Sequence, residues 1–183
     1  ALMFTVSGFV LYAATAVPGV FDGDHGEFQY MPRLLGLPHP TGYPLYLLLG
    51  WLWSWLPLGT LAFRMNLFSA FWAALTLGIV FVIARQQGLR WVGALGGALA
   101  LALAPTFWRY AGLAAVYTLN TALLGLSLYC WLRWIDGPEP FTRKWCWAAA
   151  FSLGLALTNH PTAIFLVPAV LIFVALQWLP WPP

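Results

Sequence analysis

Apolar residues fill this chain in long blocks, and polar residues are crowded into the joints between them. The first block runs from Ala1 to Val20 and is broken only late, by Pro18. It lacks the charged leading segment and the small-residue cleavage site of a signal peptide, so it reads as a membrane helix. Further blocks run from Ala62 to Ala84, Trp91 to Pro105, Leu113 to Trp134, Trp145 to Leu157 and Pro161 to Leu179. A hydrocarbon core about 30 Å thick takes about 20 helical residues to cross. The pattern predicts about six transmembrane helices, two of them short. Pro44 to Leu56 is too brief to cross and carries Trp51, Trp53 and Trp55, which suits a helix lying at the interface or re-entering from it.

Composition strengthens this picture. The chain is 62% hydrophobic and 7% charged, against about 25% charged in soluble domains. A water-soluble surface cannot be made from so little charge, which leaves an all-α, polytopic membrane bundle as the expected fold. The net charge of +3 comes with no basic run or basic-aromatic patch, so no nucleic-acid partner is expected. Cys130 and Cys146 have no metal-ligand or CxxC spacing and read as reduced thiols packed as small apolar groups. No repeat or soluble domain boundary divides residues 1–183, and Asp136 to Pro140 reads as a cytoplasmic turn.

Charge then sets an orientation. With the N-terminus in the cytoplasm, the inside loops hold Arg85, Arg90, Arg133, Arg143 and Lys144, and the outside loops hold Arg33, Arg64 and Arg109. That bias has the sign of the positive-inside rule. It also brings Asp24, Glu27, Arg64, Arg109, Tyr117, Asn159 and His160 to one extracytoplasmic face, where polar groups converging from separate loops look like a site.

The joint "FDGDHGEFQYMPRLLGLPHPTGYPLY", Phe21 to Tyr46, holds three of the five carboxylates and two of the three histidines. Asp24 and Glu27 are three apart and share a face if a helix opens here. Asp24 also suits an N-cap, with Glu27 at the capping-box position. A close carboxylate pair can hold a proton, act as a general base or bind a divalent cation, and spacing does not choose among these. His25 reads as a partly exposed loop histidine. His39 lies between two prolines, and with Tyr43 it is presented by a stiff loop that Gly42 lets turn sharply. Arg64 and Arg109 are candidates to clamp an anionic group such as a phosphate. Asn159 and His160 sit before Pro161, at a helix break whose freed backbone groups need partners. Ligation of a metal by His25, His39 and His160 together is a lesser alternative.

"DGDHGEF", "LGLPHPTGYPLYLLLG", "RMNLFSA", "APTFW", "VYTLN" and "LGLALTNHPT" follow in that order. This set resembles the membrane family related to protein O-mannosyltransferases, of the GT-C glycosyltransferase type, over essentially the whole chain. The resemblance implies a GT-C-like bundle with its active site outside the membrane and a polyprenyl-phosphate sugar as donor. It implies Asp24 as general base, with Glu27 following it. His39, Tyr43, Asn159 and His160 fall in the family's remaining elements and are expected, with Arg64, Arg109 and Tyr117, to bind substrate. The chain departs from the family in two ways. "AAVY" places Ala115 where a Glu is expected, and "WLPWPP" ends the sequence where relatives continue with further spans.

Two functions are therefore carried forward. The first is a membrane glycosyltransferase, or the N-terminal half of one, transferring sugar to a hydroxyl acceptor. The second is a non-catalytic relative serving as a structural subunit among other membrane proteins. The expected setting is a bacterial plasma membrane, with the lipid bilayer as a partner and a divalent cation as the only cofactor considered.

Overall fold

The computed structural model describes residues 1–137 and 143–178. The end of the turn read at Asp136 to Pro140, and the end of the last apolar block at Leu179, lie outside the described residues. Every regular element described is a helix: α1 Leu2–Thr15, α2 Gly23–Leu34, α3 Pro44–Trp53, α4 Leu61–Gln86, α5 Trp91–Ala102, α6 Pro105–Ala111, α7 Val116–Ile135 and α8 Arg143–Asn159, then a 3-10 turn Pro161–Phe165 and α9 Leu166–Trp178.

Prolines cut the apolar blocks. Pro18 biases the chain ahead of it away from helix, and α1 ends at Thr15 with Ala16 already extended. Pro105 opens α6 at a position where its missing N–H costs nothing, and α5 and α6 meet at a 69° bend. Pro161 likewise ends α8 and starts the 3-10 turn. By length and composition, among the described residues, one helix, α4 with 26 residues, can cross a membrane, or two if the bent α5–α6 pair counts as one span. α1, α3 and the Pro161–Phe173 stretch are apolar but short.

α4 is the central element. It packs on α1, α5 and α7, and α7 packs along α8. Its buried face mixes small and polar residues, Ala70, Ala73, Ala74, Asn66, Ser69 and Thr76, with large apolar ones, Met65, Phe68 and Leu77. The outer surface carries further large apolar side chains, among them Leu2, Met3, Val6 and Val10 on α1, Phe151 on α8, and Leu171 and Ile172 on α9. Small residues at helix contacts allow close backbone approach, and an outer surface of large apolar side chains suits an apolar surrounding.

A buried polar scaffold fixes the loops at one end of the bundle. Asn66 donates to the Val17 carbonyl (2.7 Å), and its Oδ1 accepts from Ala114 N–H (2.8 Å) and from Gln29 Nε2 (3.0 Å). Gln29 also donates to the Gly19 carbonyl and accepts from Phe21 N–H. Ser69 takes the Ala115 N–H and donates back to the Ala115 carbonyl. Both amides are fully buried. They satisfy backbone groups that the irregular segments 16–21 and 113–115 would otherwise leave orphaned, at a cost of about 1–3 kcal/mol each.

Candidate functional site

That scaffold holds α2 against the start of α7. α2 opens at Gly23 with Asp22 at the N-cap, and no side chain makes a cap hydrogen bond. Asp24 is therefore inside the first turn and is not the cap, and Glu27 does not complete a capping box. The helix begins earlier than expected because Gly23 adopts the positive φ of 60° that turns the chain into it. Gly26 is required by contact: a Cβ there would lie 2.5 Å from the Phe21 carbonyl oxygen.

Glu27 has a different partner. Its two oxygens engage the loop histidine from both sides, Oε1 accepting from His39 N–H at 3.0 Å and Oε2 lying 2.5 Å from His39 Nδ1. The far ring nitrogen, Nε2, is 2.9 Å from the Tyr43 hydroxyl. The stiff loop thus does what its prolines suggest, presenting His39 and Tyr43 at fixed positions. Burial raises the Tyr43 phenol above its ordinary pKa, and the Asp24 and Glu27 charges add to the effect. Phe28 packs edge-on against Tyr43.

Asp24, His25, Phe28, His39, Tyr43, Tyr110, Ala115, Val116 and Tyr117 surround a pocket of about 80 Å³. His160 closes over one side, stacked on Tyr43 with ring centroids 5.8 Å apart and tilted against Tyr117. Its Nδ1 accepts from Thr162 N–H and from the Thr162 hydroxyl, which places its proton on Nε2. Burial lowers its pKa, so it stacks as a neutral ring. Beyond Tyr110 and Tyr117 an apolar groove of about 420 Å³ continues between Leu101, Phe107 and Thr121.

The structure brings Asp24, Glu27, His39, Tyr43, Tyr117 and His160 together. The guanidinium of Arg64 is bound to the carbonyls of Ser54, Leu58 and Gly59 and clamps the end of α3 to the start of α4. A cation at a helix C-terminus is favoured there by the helix dipole. Asn159 is buried and donates to the Val116 carbonyl, so it shapes the pocket from behind without lining it. Arg109 is exposed on α6, beside the pocket residue Tyr110.

Tyr110, Gln29 and Asn66 were not singled out from the sequence, and His25 read mainly as a loop histidine. His25 lines the pocket, held by a 2.9 Å bond between Nδ1 and the Ala114 carbonyl. Tyr110 joins Tyr117 at a centroid distance of 4.6 Å. Gln29 and Asn66 hold the segments that carry the pocket residues. The signal for the last two was a pair of amides within otherwise apolar helical faces. The three histidines do not gather into one ligand set. The donor atoms that come together, within 4.8 Å of one another, are those of Asp24, Glu27 and His39, a carboxylate-rich set able to hold a divalent cation. Ala115 presents only a methyl to the pocket where a Glu was expected.

A family model described as the Protein O-mannosyl-transferase TMEM260 N-terminal domain matches residues 24–179. The mouse Protein O-mannosyl-transferase TMEM260 is 28% identical over 173 residues, covering 93% of this chain and 24% of the mouse protein. The Dictyostelium discoideum protein of the same name is 26% identical over 180 residues, covering 91% and 22%. The chain thus spans about a quarter of the length of these curated relatives. No solved structure matches it. With the match running from Asp24 through every pocket residue, the chain belongs to the family of protein O-mannosyl-transferase TMEM260 N-terminal domains.

Proposed function

We propose that this chain is the membrane-embedded, N-terminal part of a glycosyltransferase that moves a sugar, mannose by analogy with its relatives' names, from a polyprenyl-phosphate donor to a hydroxyl acceptor at the extracytoplasmic face. The observation that carries the reading is Asp24. Glu27, His25, His39 and His160 are all tied by hydrogen bonds, whereas the Asp24 carboxylate has no hydrogen-bond partner among the described residues and stands at the pocket mouth.

An alcohol is a poor nucleophile until its proton has an acceptor. Asp24 takes that proton as the acceptor oxygen bonds to the anomeric carbon, while the sugar–phosphate bond breaks and its electron pair leaves with the phosphate. Positive charge on the sugar at that moment is eased by the two carboxylates. Arg109 is the cation to receive the leaving phosphate, since Arg64 is already bound to backbone carbonyls. A polar pocket of about 80 Å³ and an apolar groove of about 420 Å³ that share Tyr110 and Tyr117 as lining suit a ligand with a polar head and a hydrocarbon tail. In this reading the apolar helices form a polytopic bundle of about six spans with the N-terminus in the cytoplasm. The large apolar side chains on its outer surface support that placement.

A second reading, a non-catalytic subunit bound to other membrane proteins, draws on Ala115. One experiment addresses both. The full natural chain, reconstituted in vesicles with polyprenyl-phosphate mannose and a Ser/Thr peptide, is expected to transfer sugar, and Asp24→Asn to lose about 10²–10⁴ of the rate. Absence of transfer by the wild type, or equal transfer by the variant, rejects the enzyme.

A further inference from the structure

The bond between Glu27 and His39 fixes more than a loop. An ionised carboxylate only accepts, so the ring nitrogen 2.5 Å from it, Nδ1, carries a proton. In the neutral ring Nε2 then has only a lone pair. The Tyr43 hydroxyl 2.9 Å away is the donor of that bond. Its proton is spent on His39, and its oxygen keeps only lone pairs for the pocket.

Two further observations make Tyr43 a held residue. Its backbone lies in the left-handed region, at φ 45° and ψ 54°, which a bulky side chain rarely adopts without being forced. Its ring is clamped on two sides, stacked on neutral His160 and edge-on to Phe28. Strain of this kind persists where surrounding contacts over-determine a residue, and it gathers at binding sites. The clamped ring therefore keeps the Tyr43 oxygen beside two acceptors of the chain itself, His39 Nε2 at 2.9 Å and, more weakly, the Pro40 carbonyl at 3.5 Å, and these compete with a ligand for its proton.

We infer that Glu27 and His39 act as positioning residues that lock the Tyr43 oxygen as a pure hydrogen-bond acceptor, so that the pocket selects a ligand carrying a hydroxyl donor at that point. Asp24 takes a proton in the proposed chemistry, whereas Tyr43 reads a hydroxyl and keeps it in place. A site built to accept from a hydroxyl rejects an analogue lacking it strongly, because its buried acceptor is left unpaired. The hydroxyl belongs to the sugar or the acceptor of the reading above, on which this ligand assignment rests. The proton arrangement does not rest on it.

The test has one arm for each part. In the full natural chain labelled with ¹⁵N-histidine, His39 is assigned by difference against Tyr43→Phe, which removes only the partner of Nε2. The spectrum is expected to show a protonated Nδ1 and an unprotonated Nε2. A proton on Nε2, alone or together with one on Nδ1, overturns the inference. So does a saturable Zn²⁺ titration that displaces the Nδ1 proton, which would make Asp24, Glu27 and His39 a cation site. In the transfer assay, a panel of monodeoxy donors and acceptors is run with wild type and Tyr43→Phe. One deoxy compound is expected to lose about 10²–10³ in kcat/KM with wild type and nothing further with Tyr43→Phe. Losses that simply multiply for every compound overturn it. A chain that transfers no sugar rejects the proposed function while leaving the ¹⁵N result to decide the locked acceptor.

Discussion

At one end of α4 and α7, Asp24, His25, His39, Tyr43 and Tyr117 line a cavity of about 80 Å³, with Glu27 bound to His39 and His160 stacked on Tyr43. At the other end, about 30 Å away along the 20 residues of α7, Arg85, Gln86, Arg133 and Asp136 line a cavity of about 560 Å³. Both ends have charge of both signs or a charge and its hydrogen-bond partners, and the second has seven times the volume. They differ in how the polar groups are held. At the far end Gln86 donates to Asp136, Arg85 returns to the Leu89 carbonyl close by in sequence, and Arg133 lies over Trp145. At the near end more bonds cross between segments, and they are part-buried or buried where the Gln86–Asp136 bond is exposed: Glu27 to His39, His25 to Ala114, Asn66 to Val17 and Ala114, Asn159 to Val116. Preorganised groups act on a ligand without first being reordered, whereas exposed long side chains lose rotamer entropy whenever they bind. Volume and charge do not make the site; mutual restraint does.

Four experiments press on that difference. The largest effect is expected from matched charge removals: Asp24→Asn loses about 10²–10⁴ of sugar transfer, and Asp136→Asn leaves the rate unchanged. An equal loss from Asp136→Asn would erase the distinction between the ends.

The second concerns the scaffold. Asn66→Ala leaves Ala114 N–H and the Val17 carbonyl without their partner and is expected to destabilise the fold by about 3 kcal/mol. Gln86→Ala, at the far end, stays within about 0.5 kcal/mol. Denaturant titrations of the two variants in the same detergent compare them directly.

Third, a Cβ at Gly50 would lie 2.9 Å from both Pro32 and Met65, beneath the site. Gly50→Ala is expected to cost about 1–3 kcal/mol through overpacking. Gly97→Ala meets nothing within 4 Å and gains about 0.5–1 kcal/mol of helix propensity. Thermal melts of the pair should move in opposite directions.

The smallest effect is a pH dependence. Burial depresses the His160 pKa below its ordinary 6.5, so the unfolded chain takes up this proton first as pH falls. The stability that neutral His160 contributes is complete above about pH 6.5 and is lost progressively below it. A drop in Tm of about 2 °C between pH 7.5 and 5.5 is expected to be absent in His160→Asn, whose side chain still caps Thr162 N–H. Identical pH profiles for the two proteins would remove His160 as the cause.

Much of this was legible in the chain. The polar joint from Phe21 to Tyr46 announced a site because charge is costly beside so many apolar residues, and the prolines around His39 announced a rigid loop. The carboxylate spacing put Asp24 and Glu27 near one another, and their donor atoms do come together with that of His39. The partners of Arg64 were not legible, because a guanidinium near a loop looks the same in sequence whether it faces a phosphate or three carbonyls. His25 read as a loop histidine because its partner, Ala114, lies 89 residues away and offers only a backbone oxygen. The helix limits were placed too generously at Val20 and Pro105 because apolar content continues past prolines that the backbone cannot.

The sequence by itself determined that the chain is helical and apolar-faced, because hydrophobic blocks and proline breaks act locally, through propensity and hydrogen-bond supply. It also determined which residues could do chemistry, because so few are polar. Only the tertiary structure decided their roles. It bound Glu27 to His39 and His39 to Tyr43, tied Arg64 to three backbone carbonyls, and left Asp24 without a hydrogen-bond partner among the described residues. Those outcomes depend on distances between segments that periodicity and spacing do not encode, and at hydrogen-bond range a shift of 1 Å separates a locked acceptor from an idle side chain.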